Sequence, residues 1–286
     1  MSISEKNALN ISKVLTEALP YIRKFNNKII VIKYGGHAMQ DKVLKKNFAR
    51  DLVLMKTVGI HPVLIHGGGP QIDLKLKKNN IPFKFKNGLR VTTKQMIDVI
   101  QKILDNKINK EISELIKFWG GNTSRLSGKT NSPIVAFKEN EKNIGEVGFI
   151  KSINKKKILA SIRSNKIPVI SPIGWTKNKS PLNINGDFAA CSIAAFLKAE
   201  KIILLTDVSG VRDLDGKKIS TMSLKEARKI LGNKKNIKGG MLPKLSAAIE
   251  CLEQGVKNAH IVDGRVPHSI LIELLTDKGV GTWISN

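Results

Sequence analysis

The chain has 286 residues, 41% of them hydrophobic and 25% charged, a globular composition with room for one large α/β domain or two packed lobes. Its formal net charge of +26 invites a nucleic-acid reading. However, only eight of the 49 basic residues are arginine, the lysines are spread along the whole length, and aromatic residues make up 5%. Composition thus excludes an arginine-rich interface or a stacking platform, and steering of small anionic substrates is the expected consequence of the charge. No apolar run reaches the roughly 18–20 residues of a membrane span. Residues 1–10 are polar without a signal pattern, and the two cysteines, Cys191 and Cys251, read as buried small hydrophobes; a cytoplasmic location is expected, with neither nucleic acid nor membrane as partner.

In the first 26 residues Ile11, Val14, Leu15, Ala18, Ile22 and Phe25 keep a helical period that Pro20 interrupts. Proline removes a backbone donor and clashes one turn back, which predicts a kink or break. The segment is either a helix lying on its own domain or an arm packing on another subunit. Short apolar runs follow, each ending in Gly, Asp or Pro: 29–32 before Lys33-Tyr34-Gly35-Gly36, 62–65 before His66-Gly67-Gly68-Gly69-Pro70, 167–170 before Ser171-Pro172, 202–205 before Thr206-Asp207, and 260–262 before Asp263-Gly264. Such runs suit strands buried on both faces, so the fold class is α/β: a mostly parallel open sheet sandwiched between helices. Ligands bind beyond the carboxyl ends of such strands, where these Gly, Lys and Asp residues lie. Ile97, Ile100, Leu104, Ile108, Ile112, Leu115 and Trp119 predict one long helix from about Thr92 to Trp119, covering the sheet and available for a subunit contact.

Four stretches carry chemistry. Glycines after Lys33 let backbone amides approach an anion, to which the lysine adds a compact charge. Gly67 to Gly69 repeat the device at the next strand end, with His66 read as a packed strand-end histidine. Asn183, Asn185 and Asp187 alternate, so they project to one side of an extended segment, and Asp187 is also placed to cap the Ala-rich helix that follows. Gly239 to Lys244 open a further helix, with Pro243 near its first turn. Ser127-Gly128-Lys129-Thr130 looks like the end of a Walker loop, but Thr123 stands where that loop needs its first glycine. His37, His61, His260 and His268 lack metal-ligand spacing.

Together these stretches resemble the acetylglutamate kinases of the amino acid kinase family. Further matches are Asn87-Gly88-Leu89-Arg90-Val91, the run from Ile202 to Gly210, His268 to Glu273, and Gly279 to Ile284; the resemblance extends from Glu17 to the C-terminus. Two departures stand out: Gly186 replaces a usual Ala, and Arg125-Leu126-Ser127-Gly128-Lys129-Thr130 replaces a Gly-Leu-Ser-Gly-Lys-Asp pattern. The resemblance implies transfer of the γ-phosphoryl of ATP, with magnesium carried by the nucleotide and no metal held by the protein, to the side-chain carboxylate of N-acetyl-L-glutamate in arginine synthesis. Such a carboxylate, with a pKa of about 4.3, is already ionised, so no general base is required.

By the same resemblance Lys33 and Lys244 flank the transferring group and Asp187 orients both. Gly68, Gly69, Arg90, Asn183 and Asn185 bind the acceptor; Gly35, Gly36, Asp207, Ser209, Gly210 and Arg212 bind ATP. The likeness to the arginine-inhibited, hexameric branch implies a regulatory set of Tyr21, His268, Glu273 and Gly279, with L-arginine as inhibitor. The implied division is an oligomerisation arm over 1–26, an acceptor-binding and dimer-contact lobe over 27–198, and a nucleotide lobe over 199–286. The alternatives are another kinase of this fold, acting on glutamate, aspartate, carbamate or a nucleotide, and a non-catalytic arginine sensor.

Overall fold

The computed structural model describes residues 4–139, 143–213, 215–232, 240–277 and 279–286; Gly239 and the Lys234–Lys235 pair lie outside them. Helix α1 (Glu5–Phe25) leads into β1 (Ile29–Tyr34), a 3₁₀ turn, α2 (Lys42–Thr57), β2 (His61–His66) and α3 (Gly69–Lys78). A short hairpin, β3 (Phe85–Lys86) and β4 (Leu89–Arg90), precedes α4 (Lys94–Gln101), a π-helical segment (Lys102–Ile108) and α5 (Asn109–Phe118). Next come β5 (Thr123–Leu126), α6 (Gly128–Asn131), β6 (Ile134–Phe137), β7 (Phe149–Ile153), α7 (Lys155–Arg163), β8 (Ile167–Ile170), β9 (Ile173–Trp175), β10 (Pro181–Asn183) and α8 (Gly186–Leu197). The chain ends with β11 (Lys201–Thr206), β12 (Thr221–Ser223), α9 (Leu224–Gly232), α10 (Met241–Glu253), β13 (Asn258–Asp263), α11 (Ser269–Leu275) and β14 (Thr282–Ser285). No described helix is long and apolar enough to cross a membrane.

Among the described residues eight strands form one open sheet, in the order β12-β14-β13-β11-β1-β2-β8-β5. All neighbouring pairs are parallel except β13 with β14. The apolar runs of the sequence are its central strands, and the α/β sandwich expected from them is what forms. Ile30, Ile32 and Tyr34 of β1 join α2, α4, α5 and α11 in one core; Val31 joins α7, α8 and α10 in the other. A smaller sheet has the order β10-β9-β6-β7.

Two elements differ in detail from expectation. Pro20 does not break α1, which is helical from Glu5 to Phe25. The long helix is continuous in path but carries the π segment at its centre. There the Leu104 carbonyl accepts from the Asn109 amide, five residues on, and also receives Ser171 Oγ, while the Asp105 carbonyl receives Arg125 Nη2. Side chains from β5 and from the turn after β8 thus add bonds to carbonyls of the π segment and tie its extra residue to the sheet.

Candidate active site

Alternation along β1 aims Lys33. Val31 points to the face covered by α8 and α10, so Lys33, two residues later, projects the same way. There it meets Asp187 in the first turn of α8, with Nζ 3.0 Å from Oδ1. Lys244, near the start of α10, donates to Asp187 Oδ2, also at 3.0 Å. The carboxylate therefore lies between two ammonium groups. Burial alone would push the Asp187 carboxyl up, but Lys33 and Lys244 outweigh it and hold it at about 2. Lys33 is pushed below the usual lysine range by burial and by its neighbour Lys244, with Asp187 opposing. Asp187 does not cap α8. That role belongs to Asn185, whose Oδ1 accepts from the amides of Asp187 (2.9 Å) and Phe188 (3.2 Å).

Lys33, Asn185 and Asp187 line a cavity of about 240 Å³ at the carboxyl edge of the sheet, and Lys244 adjoins it through Asp187. Parallel pairing sets Tyr34 opposite His66, so the turns that follow β1 and β2 are neighbours, joined by a bond from the Gly67 amide to the Tyr34 carbonyl (2.6 Å). Gly35, Gly36, Gly67, Gly68 and Gly69 line the cavity, as do Asn183 and Arg90. The guanidinium of Arg90 pairs with Asp73 and lies over Phe85 and Phe83, 4.6 and 5.0 Å from the ring centroids. Asn183 Nδ2 donates to Thr92 Oγ1 at 3.1 Å. The cavity thus offers Lys33 with Asp187, which carries Lys244 behind it, two neighbouring glycine turns, and the guanidinium of Arg90. That arrangement suits two anions held head to head.

A model described as the amino acid kinase family matches residues 28–263. The chain belongs to that family. It is 47% identical to an acetylglutamate kinase of Petrotoga mobilis over 98% of this chain and 96% of that one, and 48% identical to an acetylglutamate kinase of Syntrophus aciditrophicus over 95% of each. The activity is that of an acetylglutamate kinase, a phosphotransferase with a carboxyl acceptor. Among solved structures, the N-acetylglutamate synthase of Neisseria gonorrhoeae, complexed with coenzyme A and N-acetyl-glutamate, superposes with a TM-score of 0.87 at 25% identity. The match covers 96% of this chain but only 63% of the synthase.

The remaining site residues fall into two places. Asp207 packs on Gly36, whose φ of +72° and close approach exclude a side chain. Ser209, Gly210 and Arg212 do not line the cavity. Arg212 donates to Gly216 O and approaches Ser209 Oγ, and Gly210 lies against Thr282. Of the regulatory set, Tyr21, Glu273 and Gly279 line a second cavity of about 590 Å³ between α1, α11 and β14. His268 does not: it sits at the N-cap of α11, with Nδ1 2.6 Å from Asp51 Oδ1 and Nε2 beside Arg50. Sequence reading missed His260 and Lys201, which do line that cavity, and Asp73, which holds Arg90. Lys201 and His260 lie in the first half of apolar runs, positions that read as strand rather than site. The Gly128–Lys129 stretch that mimics a Walker loop forms the short helix α6, with Lys129 exposed and outside the cavity.

Proposed function

We propose that the enzyme transfers the γ-phosphoryl of ATP, taken up as its magnesium complex, to the side-chain carboxylate of N-acetyl-L-glutamate in arginine synthesis in the cytoplasm. The observation that carries this reading is Asp187 bridging Lys33 and Lys244 at 3.0 Å each, beside a cavity that Lys33, Asp187 and Arg90 all line. The acceptor carboxylate needs no base; the reaction needs two anions brought together and their charge spread neutralised. Lys33 and Lys244 supply that charge on either side of the transferring group, and Asp187 keeps both side chains extended toward it. Amides of Gly68 and Gly69 hold the reacting carboxylate, Arg90 takes the α-carboxylate, and Asn183 and Asn185 line the acceptor's path. Gly35, Gly36 and the segment from Asp207 to Arg212 serve the nucleotide. In this division residues 27–198 form the acceptor lobe and 199–286 the nucleotide lobe, joined through the pairing of β1 with β11.

The second cavity supports a regulatory reading: L-arginine binds there and inhibits. Glu273 is buried, and its bonds to His260 and the Val280 amide, with Lys201 nearby, overcome burial and hold its carboxyl below the usual range, which suits a guanidinium. Lys201 is held down at about 8, chiefly by burial, and remains mostly protonated at neutral pH to meet an α-carboxylate. The exposed apolar stripe of α1, with Val14 65% and Leu15 68% exposed, suits an arm that packs on another subunit in a hexamer built from dimers. The deciding experiment measures ATP turnover with N-acetylglutamate and with free glutamate, each with and without L-arginine. Turnover on free glutamate at equal efficiency would reject the acceptor, and insensitivity to arginine would reject the regulation.

A further inference from the structure

Arg125 has no part in the phosphoryl transfer proposed for the cavity. It lies on the edge strand β5 and is itself exposed, yet its guanidinium bonds partners beneath it. Nε donates to Asn109 Oδ1 at 3.0 Å and Nη2 to the Asp105 carbonyl at 2.6 Å, at the downstream end of the π segment. Asn109 is fully buried. Its Nδ2 donates to the Val169 carbonyl (3.0 Å) and to Ser171 Oγ (3.3 Å), and stands 3.3 Å from His66 Nε2. Ser171 Oγ lies 3.1 Å from the same His66 nitrogen and donates to the Leu104 carbonyl at 3.4 Å.

Three members of this network adjoin the wall of the active-site cavity. His66 precedes Gly67, Ser171 precedes Pro172, and Leu104 is itself part of the wall. The contact is tight: a methyl group on Gly68 would stand 2.7 Å from Leu104 Cδ2 and 2.6 Å from Ile108 Cδ1. The height of the Gly67–Gly69 turn is therefore set by the π segment beneath it. Ser171 and Arg125 bond the Leu104 and Asp105 carbonyls of that segment and so tie its position to the sheet. His66 works in this network by shape, since burial holds its ring neutral, down at about 4.

We propose that Arg125 is a positioning residue for the acceptor end of the active site, acting through Asn109 and the π segment on the Gly67–Gly69 turn. It touches neither substrate. Truncating it leaves Asn109 Oδ1 and the Asp105 carbonyl without these donors, and the turn loses its fixed height over Leu104. The inference rests on the reading that this cavity holds N-acetylglutamate.

The test is steady-state kinetics and thermal melting of the full-length enzyme as Arg125→Ala, Arg125→Lys and Ser171→Ala, with Arg90→Ala as control. Arg125→Ala is expected to raise KM for N-acetylglutamate about tenfold while kcat and KM for MgATP stay within about twofold, the size of one lost charge-assisted bond. Arg125→Lys, which keeps a single donor centre, falls between. Ser171→Ala, which reaches the same segment from β8, gives the same split. An unchanged acceptor KM in Arg125→Ala overturns the proposal, as does a loss of both KM values and kcat in step with a lower melting temperature. If Arg90→Ala leaves the acceptor KM unchanged, the placement of the acceptor fails; if it raises that KM and Arg125→Ala does not, only the role of Arg125 fails.

Discussion

Asp187 Oδ2 accepts a hydrogen bond from Lys244 Nζ at 3.0 Å, tying the first turn of α8 to the start of α10. With Lys33 on the other oxygen, the carboxylate fixes two cations that would otherwise repel each other in a buried setting. Lys33→Ala and Lys244→Ala each remove charge that matters chiefly in the transition state, so kcat is expected to fall about 10²–10³-fold with substrate KM values changed far less. Asp187→Asn keeps the shape and removes the charge that aligns both lysines; kcat falls by about 10²-fold or more, with a lower melting temperature. Steady-state kinetics on the three variants check this. Wild-type turnover in both lysine variants would remove the roles assigned to them.

The pH profile follows from the same pair. Lys33 must be protonated to neutralise charge, and burial lowers its pKa below the usual lysine range. A cation whose pKa is depressed loses its proton earlier as pH rises, so the alkaline limb of kcat falls below the ordinary lysine range. The acid limb belongs to the acceptor carboxylate, near its own pKa of about 4.3, because Asp187 stays ionised down to about 2. Between the limbs the rate is flat, since His66, held neutral down to about 4, changes no charge there. A histidine-like inflection near pH 6.5 would contradict this assignment.

Two glycines of the site make opposite demands. At Gly36, φ is +72° and a methyl group would collide with the Asp207 carboxylate. Gly36→Ala is expected to destabilise by about 1–3 kcal/mol and to raise KM for MgATP, because the turn and Asp207 must move apart. At Gly186, a methyl would lie 3.5 Å from Lys33 Cε, an ordinary contact, in the first turn of α8. Gly186→Ala is therefore expected to stabilise by about 0.4–1 kcal/mol with kcat retained. Denaturant titration beside kinetics distinguishes the two; a destabilised Gly186→Ala would show that the alanine is not free to fit.

What could be read from the sequence divides along physical lines. The parallel sheet was legible because its strands are apolar on both faces, and Lys33, Gly35 and Gly67–Gly69 because they end those strands. The pairing of Lys33 and Lys244 through Asp187 was not derivable from spacing: the two lysines lie on β1 and α10, 211 residues apart by number, and only the packing of α8 between them brings them together. The regulatory set shows the converse. His268 sits within a familiar motif, yet its backbone, with φ of +59°, turns the ring to Asp51, whereas His260 reaches the second cavity from the interior of a strand. The π segment was invisible because its register depends on partners from β5 and the turn after β8, not on its own periodicity.

Helix α1 joins the two regulatory predictions. Its inner face, through Ala18, Tyr21 and Ile22, packs on the core beside α11, while Leu9, Val14, Leu15 and Leu19 are exposed by more than half. Deleting residues 1–26 removes the stripe and also Tyr21, Lys24 and Phe25 from the second cavity, so hexamers and arginine sensitivity are expected to be lost together. Because that deletion also removes the buried Phe25, the paired change Val14→Glu with Leu15→Glu is the cleaner probe of assembly: light scattering should report dimers with catalysis intact. Glu273→Gln probes the other half. It leaves the stripe and the active site untouched but withdraws the carboxylate offered to a guanidinium, so inhibition by arginine should weaken by about tenfold or more while hexamers persist. Hexamers that survive both glutamates, or inhibition that survives Glu273→Gln, would separate the arm and the cavity from the regulation proposed for them.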